Sequence, residues 1–300
     1  MKTLSIVISA LNEEKKIGRC LSSVKWADEI IVVDNGSLDA TSKIARSLGA
    51  KVFKQKNNNM LNVNKNFGFT KACSDWILCL DADEEIPPDL KAEILSVLDT
   101  ESDACGYWIA RKNIIFEKWI QHGLWWPDKQ LRLFKRSTGS YPCKHVHEYL
   151  SVDGKTSELR LPYIHYNYES ISQFIRKMDI YSENEVDYLI RVSYQFSWFD
   201  AIRFPVSDFI KIYFAEGGYK DGLHGLVLSL LQSVYSFVVF AKLWEKKGFN
   251  EEEIRLDQVE HELTRDGKEI WFWLLTAKIL QAKNFFVKKY FQIVKKLLFI

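Results

Sequence analysis

Carboxylates follow two apolar runs in the first hundred residues, and their spacing suggests a site for a cation. Asp34 follows the run at residues 30–33, and Asp81 and Asp83 follow the run at residues 76–80. Residues two apart in an extended chain point the same way, so Asp81 and Asp83 present two carboxylates to one side. Such close like charges repel, so a hard divalent cation, Mg²⁺ or Mn²⁺, fits between them together with substrate phosphates. The alternative is that these acids are solvated loop residues and helix caps.

The segments around these acids alternate between strand and helix patterns. Strand-like runs occur at residues 4–8, 30–33, 51–53 and 76–80, and helical stretches at residues 13–25, 39–48, 61–73 and 87–98. Strands that alternate with helices of this length predict βαβ units and a parallel sheet. Ligands of such sheets bind at the carboxyl ends of the strands, which is where the three aspartates stand.

The signatures of several other protein classes are absent from the sequence. There is no GxGxxG after the first strand, no GxxxxGK[ST] and no GxSxG, which argues against dinucleotide-binding oxidoreductases, P-loop proteins and α/β-hydrolases. The 41 basic and 39 acidic residues nearly cancel, and we expect no nucleic-acid partner because such proteins usually show a basic excess. Five cysteines without CxxC spacing are typical of reduced thiols in a cytosolic compartment.

Four segments resemble, in order, the successive motifs of family 2 glycosyltransferases. They are SIVISALNEE at residues 5–14, VDNGSLDAT at 33–41, KNFG at 65–68 and LDADE at 80–84. The resemblance implies an α/β fold of the GT-A type, with a Rossmann-like, mostly parallel sheet flanked by helices. It also implies a nucleotide-sugar donor, a divalent metal ion and inversion at the anomeric carbon.

The same resemblance suggests roles for individual residues. Asp34 would contact the base or ribose, Asp81 would lie near the ribose and the metal, and Asp83 would bind the metal that bridges the diphosphate. Further residues expected on the nucleotide-sugar side are Asn12, Glu14, Gly36, Ser37, Lys65, Asn66 and Gln130. Gly36 also suits a turn with positive φ, whereas Asp39 is equally a helix cap or a ligand contact.

A later segment, QLRLF, could supply a cation for the leaving phosphates. Alternation along a strand places Gln130 and Arg132 on one face, and the segment loosely resembles the QxxRW element of processive family 2 synthases. We expect Arg132 to lie near the diphosphate or the acceptor. The alternative is a surface arginine on a strand.

The segment HVHE at residues 145–148 could supply the base that deprotonates the acceptor hydroxyl. We assign Glu148 as the candidate base and His147 as a metal or diphosphate contact, although the two roles could be exchanged. The alternative is a buried edge strand with structural histidines. The stretch that ends in HVHE resembles the lipopolysaccharide-core β-1,4-glucosyltransferase branch of family 2. His122 and His165 stand alone and are interpreted as structural.

The chain has two compositional halves, which suggest a catalytic domain at residues 1–165 and a helical, acceptor- or membrane-associated region at 166–300. Only five aromatic residues stand in the first hundred positions. Residues 225–241 carry no charge, but serines dilute the stretch, so a buried or interfacial helix is favoured over a membrane span.

The end of the chain shows a basic amphipathic pattern. Residues 268–300 contain seven lysines and one acid, Glu269. Lys288–Lys289 and Lys295–Lys296 recur seven apart, which predicts a shared lysine face opposite apolar residues. This pattern is typical of a helix on an anionic membrane surface, and a packing helix or a dimer contact is the alternative.

Together these observations predict an inverting, metal-dependent glycosyltransferase that is peripheral on the inner face of the cytoplasmic membrane. It would move a hexose, with UDP-glucose as the first candidate donor, to a lipopolysaccharide-core or lipid-linked glycan. A protein-directed glycosyltransferase, a nucleotidyltransferase and a non-enzymatic membrane scaffold are the alternatives. A nucleotidyltransferase would need a glycine-rich phosphate loop where residues 12–14 read NEE, and the intact aspartates argue against a scaffold.

Overall fold

A computed structural model describes residues 2–57, 61–143 and 148–299. The chain divides into two compact units. The first comprises Met1–Trp119 and Trp125–Asn167, and the second comprises Ile120–Leu124 and Tyr168–Ile300. The short segment Ile120–Leu124 therefore belongs with the helical second unit although it interrupts the first in sequence.

The first unit is an α/β structure whose described elements alternate as the sequence predicts. Its strands are β1 (Leu4–Ala10), β2 (Glu29–Asp34), β3 (Lys51–Lys54), β4 (Trp76–Asp81), β5 (Glu84–Glu85), β6 (Gly106–Ile109), β7 (Arg111–Ile115), β8 (Lys118–Trp119), β9 (Gln130–Lys135), β10 (Gly139–Ser140), β11 (Ser151–Val152), β12 (Thr156–Glu158) and β13 (Tyr163–Tyr168). Its helices are α1 (Ile17–Ser23), α2 (Thr41–Ser47), α3 (Leu61–Lys71) and α4 (Pro88–Asp99). Helix α1 is shorter than predicted because residues 14–16 form a turn.

The main sheet has the order β12-β6-β9-β4-β1-β2-β3. β1 pairs in parallel with both β2 and β4, while β9 is antiparallel to β4 and β6. A second sheet has the order β5-β13-β7-β8. The predicted α/β architecture with a mostly parallel sheet is confirmed.

The main sheet is covered on both faces, which explains the continuous apolar runs of its central strands. Along β1, Ile6 and Ile8 belong to one core cluster, whereas the alternating Val7 belongs to another. Gly68 lets α3 approach this second face closely, because a Cβ at Gly68 would lie 2.5 Å from the Val7 side chain. The close approach brings the polar residues of α3 to the end of the sheet.

The second unit is helical. Its helices are α5 (Ile171–Arg191), α6 (Asp200–Phe209), α7 (Leu223–Lys246), α8 (Leu256–Gln281) and α9 (Phe285–Leu298). A π-helical turn at Ile210–Ala215 follows α6, and a 3-10 turn at Gly218–Asp221 precedes α7. Helix α7 packs against α5 and α6, and α9 packs against α8. Within this unit His122 Nδ1 lies 3.3 Å from an Asp221 carboxylate oxygen.

Helix α7 buries both small polar and apolar residues and also leaves apolar residues exposed. Its buried face carries Ser229 and Ser233 together with Leu228 and Leu243, while Leu230 and Phe237 are about half exposed. In the part of the chain that the structure describes, Leu223–Lys246 is the one helix whose length and composition suffice to cross a membrane, and 28% of its most apolar window is buried. The outward apolar stripe differs from the usual pattern of a surface helix, in which polar residues face outward.

Candidate functional site

The two strand-end aspartates lie on either side of the end of β1. In the register of the sheet, Asp34 of β2 pairs with Ala10, and Asp81 of β4 pairs with Ser9. Because parallel strands end at the same edge, the two carboxylates stand at one rim of the sheet, as the sequence predicts.

The Asp34 carboxylate is fully buried and orders the loop that follows β2. Its Oδ1 accepts a hydrogen bond of 2.8 Å from the backbone N–H of Ser37, and its Oδ2 accepts one from the Ser42 hydroxyl. Burial opposes ionisation, but these hydrogen bonds outweigh it and hold the pKa of Asp34 below its usual value. Gly36 has a φ of +92°, which is the positive φ expected of it. The loop is thus an ordered backbone turn built on a buried carboxylate.

Asn12 and Glu14 support the same loop from the end of β1. The Asn12 side-chain oxygen accepts from the Leu38 N–H at 2.9 Å, and a Glu14 carboxylate oxygen accepts from the Ala40 N–H at 3.0 Å. Asp39 accepts from the Glu14 N–H at 3.1 Å, so it ties the two loops together. The predicted contacts of Asn12 and Glu14 with a nucleotide sugar stay predictions, and in this structure the two side chains brace the loop.

The Asp81 carboxylate is paired with two cationic side chains of the protein. Its Oδ1 lies 2.6 Å from Lys65 Nζ, and its Oδ2 lies 2.9 Å from Arg132 Nη2. Burial opposes the charge on Asp81, but the two cations outweigh it and hold the pKa of Asp81 far below its usual value. Burial also opposes the charge on Lys65, yet the Asp81 carboxylate raises the pKa of Lys65. In this arrangement both Asp81 oxygens are engaged, so a metal ion is not needed to balance this carboxylate.

Arg132 reaches the site from a bulge in β9. The register shifts between Tyr107–Leu133 and Trp108–Leu131, which leaves Arg132 as the extra residue of its strand. The bulge interrupts the strict alternation on which the expected shared face of Gln130 and Arg132 rests. Arg132 is 3% exposed, so the alternative of a surface arginine is wrong.

Glu84 is a buried partner of Arg132 that the sequence analysis did not identify. It lies in β5, is 1% exposed, and its Oε1 is 2.6 Å from Arg132 Nη2. Its Oε2 accepts the backbone N–H of Asp81 at 2.8 Å. Burial, reinforced by the Asp81 charge, raises the pKa of Glu84. Glu84 therefore fixes both Arg132 and the backbone at Asp81.

Asp83 has a different environment from Asp81. Its Oδ1 lies 3.6 Å from His165 Nε2, and its Oδ2 lies 3.8 Å from Lys16 Nζ. The pairing of β5 with β13 produces this approach, since it sets His165 opposite Glu84. The prediction that His165 stands alone is wrong.

Hydrogen bonds around Asn113 identify which nitrogen of His165 carries a proton. The Asn113 amide nitrogen donates to Trp125 O and to Asp128 Oδ2, both at 2.8 Å. The Asn113 oxygen must then accept, at 2.7 Å, from His165 Nδ1. The neutral ring consequently carries its lone pair on Nε2, facing Asp83. Two electron-rich groups that face each other share a cation, either a proton or a metal ion.

These residues fit a divalent cation only as part of a larger ligand set. Among the described residues, no group of three or more His, Cys, Asp or Glu side chains could hold a metal ion by itself. Asp83 and His165 offer one oxygen and one nitrogen ligand, and phosphate oxygens of a substrate could fill the other positions. His147, the predicted third ligand, lies outside the described residues.

Helix α3 connects the candidate base to the strand-end acids. The Asn62 amide donates to a Glu148 oxygen at 3.1 Å, and Lys65, three residues further along, binds Asp81. Glu148 also accepts the backbone N–H of Cys143. Residues three apart share a helix face, so Glu148 and Asp81 approach the same face of α3.

Asn66 and Gln130 hold the surroundings of the site together. Asn66 exchanges two hydrogen bonds with the backbone of Tyr141, at 2.8 and 2.9 Å. The Gln130 amide donates to Asp128 at 3.0 Å, and Asp128 in turn accepts from Asn113, so Gln130 is connected to the site through these two residues. The expectation that both residues contact the nucleotide sugar stays a prediction.

Comparisons with known proteins identify the family of the chain. The sequence model of glycosyl transferase family 2 matches residues 5–150. An uncharacterized glycosyltransferase, RT0209 of Rickettsia typhi, is 30% identical over 257 residues, covering 82% of this chain and 88% of that protein. The lipopolysaccharide core biosynthesis glycosyltransferase LpsC of Rhizobium meliloti is 26% identical over 254 residues, covering 81% and 92%.

Among solved structures, S. aureus TarS 1-349 in complex with UDP-GlcNAc matches with a TM-score of 0.44 at 14% identity. The match covers 80% of this chain and 92% of that one. The family match covers much of the α/β unit, and one relative is 30% identical. The site adds carboxylates at the strand ends and an ordered loop after β2. These observations lead to one assignment. The chain belongs to glycosyltransferase family 2 and is a nucleotide-sugar glycosyltransferase with the GT-A fold.

Proposed function

We propose that the protein is an inverting, metal-dependent hexosyltransferase that acts on a lipopolysaccharide-core or lipid-linked glycan, with UDP-glucose as the first candidate donor. The observation that carries this proposal is the grouping of Asp34, Asp81 and Asp83 at one rim of the sheet. Glu148 contacts the same face of α3 that Asp81 contacts. A sugar nucleotide presents a base, a ribose and a diphosphate, and these acids and their cations offer partners for each part.

The donor would lie across the rim of the sheet. The loop ordered by Asp34 would hold the nucleoside, and the Asp81–Lys65 pair would lie near the ribose. Asp83 and His165 would hold a divalent cation, which when bound neutralises charge on the diphosphate as it leaves.

Glu148 would remove the proton from the acceptor hydroxyl. Its oxygen already accepts hydrogen bonds from Asn62 and from the Cys143 N–H, which orients the carboxylate. The acceptor oxygen would then attack the anomeric carbon on the side opposite the diphosphate. The bond to the nucleoside diphosphate breaks as the new glycosidic bond forms, so the configuration inverts.

A glycan acceptor of the cell envelope is suggested by the name of one relative, the lipopolysaccharide core glycosyltransferase LpsC, at 26% identity. The aromatic residues are concentrated after the first hundred positions, and flat rings suit sugar faces. These two observations support the acceptor class, and the linkage follows only from an experiment.

The decisive experiment incubates the purified chain with a panel of nucleotide sugars, Mg²⁺ or Mn²⁺, and truncated lipopolysaccharide-core acceptors. We expect a product heavier by one hexose, formed with UDP-glucose, and loss of turnover in EDTA that added Mn²⁺ restores. Release of pyrophosphate instead of a nucleoside diphosphate would identify a nucleotidyltransferase and overturn the proposal.

The base is tested by Glu148→Gln, which keeps the shape of the side chain but cannot accept the proton. We expect transfer to fall at least a hundredfold, within the range of general-base catalysis, with donor binding retained. Glu101→Gln, at an exposed glutamate, is the matched control. Full transfer by the Glu148 variant would remove this residue from the mechanism.

A further inference from the structure

Helix α9 displays an apolar seam to the outside of the second unit. Phe286, Tyr290, Ile293 and Leu297 recur at spacings of four, three and four, so they lie on one helix face. Their exposed fractions are 79%, 62%, 50% and 76%. No residue of α9 is buried, and large apolar side chains that remain exposed together mark a surface with a partner.

The opposite side of α9 is occupied by α8. Lys295 Nζ donates to the Thr276 hydroxyl at 2.6 Å and lies 3.4 Å from the centre of the Phe272 ring. The predicted lysine face shared by residues 288, 289, 295 and 296 is therefore wrong, because Lys295 turns inward. The contacts also fix the rotation of α9, so the apolar seam is held outward.

Lysines border the seam. Lys289 and Lys296 follow Phe286 and Ile293 by three residues each, which places them beside the seam, and both are exposed. There is no acid in residues 270–300. A partner that covers this face must therefore be apolar along the seam and anionic beside it.

We propose that the outer face of α9 docks on an anionic lipid bilayer. The helix lies in the plane of the membrane, with the seam in the headgroup boundary and Lys289 and Lys296 on the lipid phosphates. Its 14 residues span about 21 Å, which is too short to cross the hydrocarbon core. This contact is the physical basis for a peripheral location on the cytoplasmic face of the membrane.

The charges favour a bilayer over a second copy of the chain. Two α9 faces packed together would bring Lys289 and Lys296 near the same lysines of the other copy, and no acid of residues 270–300 could neutralise them. The apolar stripe of α7 has no lysine border at Leu230 and Phe237, and it is not part of this docking surface.

The test is co-sedimentation of the full chain with vesicles of phosphatidylcholine, either alone or mixed with phosphatidylglycerol. We expect binding to the anionic vesicles only, and release in high salt because exposed charges are screened. Lys289→Glu with Lys296→Glu should weaken binding roughly tenfold or more, since each near-surface lysine contributes about 1 kcal/mol. Phe286→Ser with Leu297→Ser, which removes the apolar contact, should abolish sedimentation.

The matched control is Lys25→Glu with Lys43→Glu, which changes the net charge equally at exposed lysines of the first unit and should leave binding unchanged. Equal binding to neutral vesicles, or wild-type binding by both α9 variants, would overturn the proposal. The proposal would also be overturned by a light-scattering result in which the wild-type chain self-associates and only the variant with Phe286→Ser and Leu297→Ser loses this self-association, while that variant still binds vesicles. The assay uses no sugar donor, so its result is independent of the proposed activity.

Discussion

The two units of the chain treat their apolar residues in opposite ways. In the first unit, Ile8 of β1 and Leu80 of β4 are fully buried. In the second unit, α9 buries no residue at all. Of the exposed large apolar side chains among the described residues, only Leu38, Val63 and Tyr149 belong to the first unit. The α/β unit buries its apolar side chains in its own core, whereas the helical unit leaves many of its apolar side chains exposed.

Charged residues are buried in both units. The first unit buries Arg132, Glu84 and Lys65 in one connected network below the strand ends. Buried charges are costly unless they are paired, and each member of this network has an opposite charge within hydrogen-bond distance. Among the described residues of the second unit, the buried charged ones are the acids Asp200, Asp221, Glu262 and Asp266. The candidate site thus rests on a buried charged network in the first unit, whereas the proposed membrane contact rests on exposed side chains of the second.

The largest effect should come from Asp83→Asn. The substitution removes the carboxylate charge next to His165 while keeping the size of the side chain. We expect transfer to fall at least a thousandfold, equivalent to about 4 kcal/mol of transition-state stabilisation. Steady-state kinetics measure this, with Asp103→Asn at an exposed aspartate as the control. An active, folded Asp83 variant would separate this aspartate from the reaction.

Arg132→Met should mainly reduce stability. Removing this guanidinium leaves Asp81 and Glu84 without their shared cation, and breaking such a buried pair costs about 3 to 5 kcal/mol. Urea unfolding measures the loss, and Glu84→Gln in the same chain should restore part of it. Arg136→Met, at an exposed arginine just after β9, should change little. Equal effects of the two arginine variants would contradict a structural network.

A pair of leucine substitutions tests the comparison between the units directly. Leu80→Ala leaves a cavity in a fully buried strand and should lower the free energy of unfolding by about 3 kcal/mol. Leu297→Ala, at a side chain that is 76% exposed, should change it by less than about 0.5 kcal/mol. Thermal or chemical unfolding of both variants measures the difference. A large loss at Leu297 would mean that the seam packs within the chain.

The smallest effect concerns acid stability. The pKa of Asp34 is lowered in the folded state by its hydrogen bonds with Ser42 and Ser37, although burial opposes the charge. Its contribution is therefore present above the unfolded pKa and is lost as pH falls through the folded pKa. Asp34→Asn should cost about 2 kcal/mol near neutral pH, the size of a charge-assisted hydrogen bond. The difference in unfolding free energy from wild type should narrow in acid. If the difference in unfolding free energy between Asp34→Asn and wild type did not change with pH, this linkage would be contradicted.

Much of the first unit could be predicted because its signals are local. Apolar runs of strand length, helical stretches between them and acids at the strand ends identified β1, β2, β4 and the rim of the sheet. Gly36 could be assigned a positive φ from its place in a turn. Hydrophobic alternation needs no knowledge of the partner strands, so it is visible in a single sequence.

The pairing of the acids could not be predicted in this way. His165 and Asp83 are far apart in sequence and meet because β13 pairs with β5, a strand of only two residues. The position of the Arg132 side chain depends on a β-bulge, and no residue type in QLRLF indicates a bulge. Both features are long-range, and local patterns carry no information about them.

The sequence by itself determined the α/β class, the family motifs and the positions of Asp34, Asp81 and Asp83, because these depend on neighbours along the chain. Only the tertiary structure decided that Lys65 and Arg132 neutralise Asp81, that Asp83 faces a histidine, and that Lys295 of α9 turns inward. Electrostatic pairing depends on distances across the fold. A carboxylate acquires its chemical role only when its cations are in place.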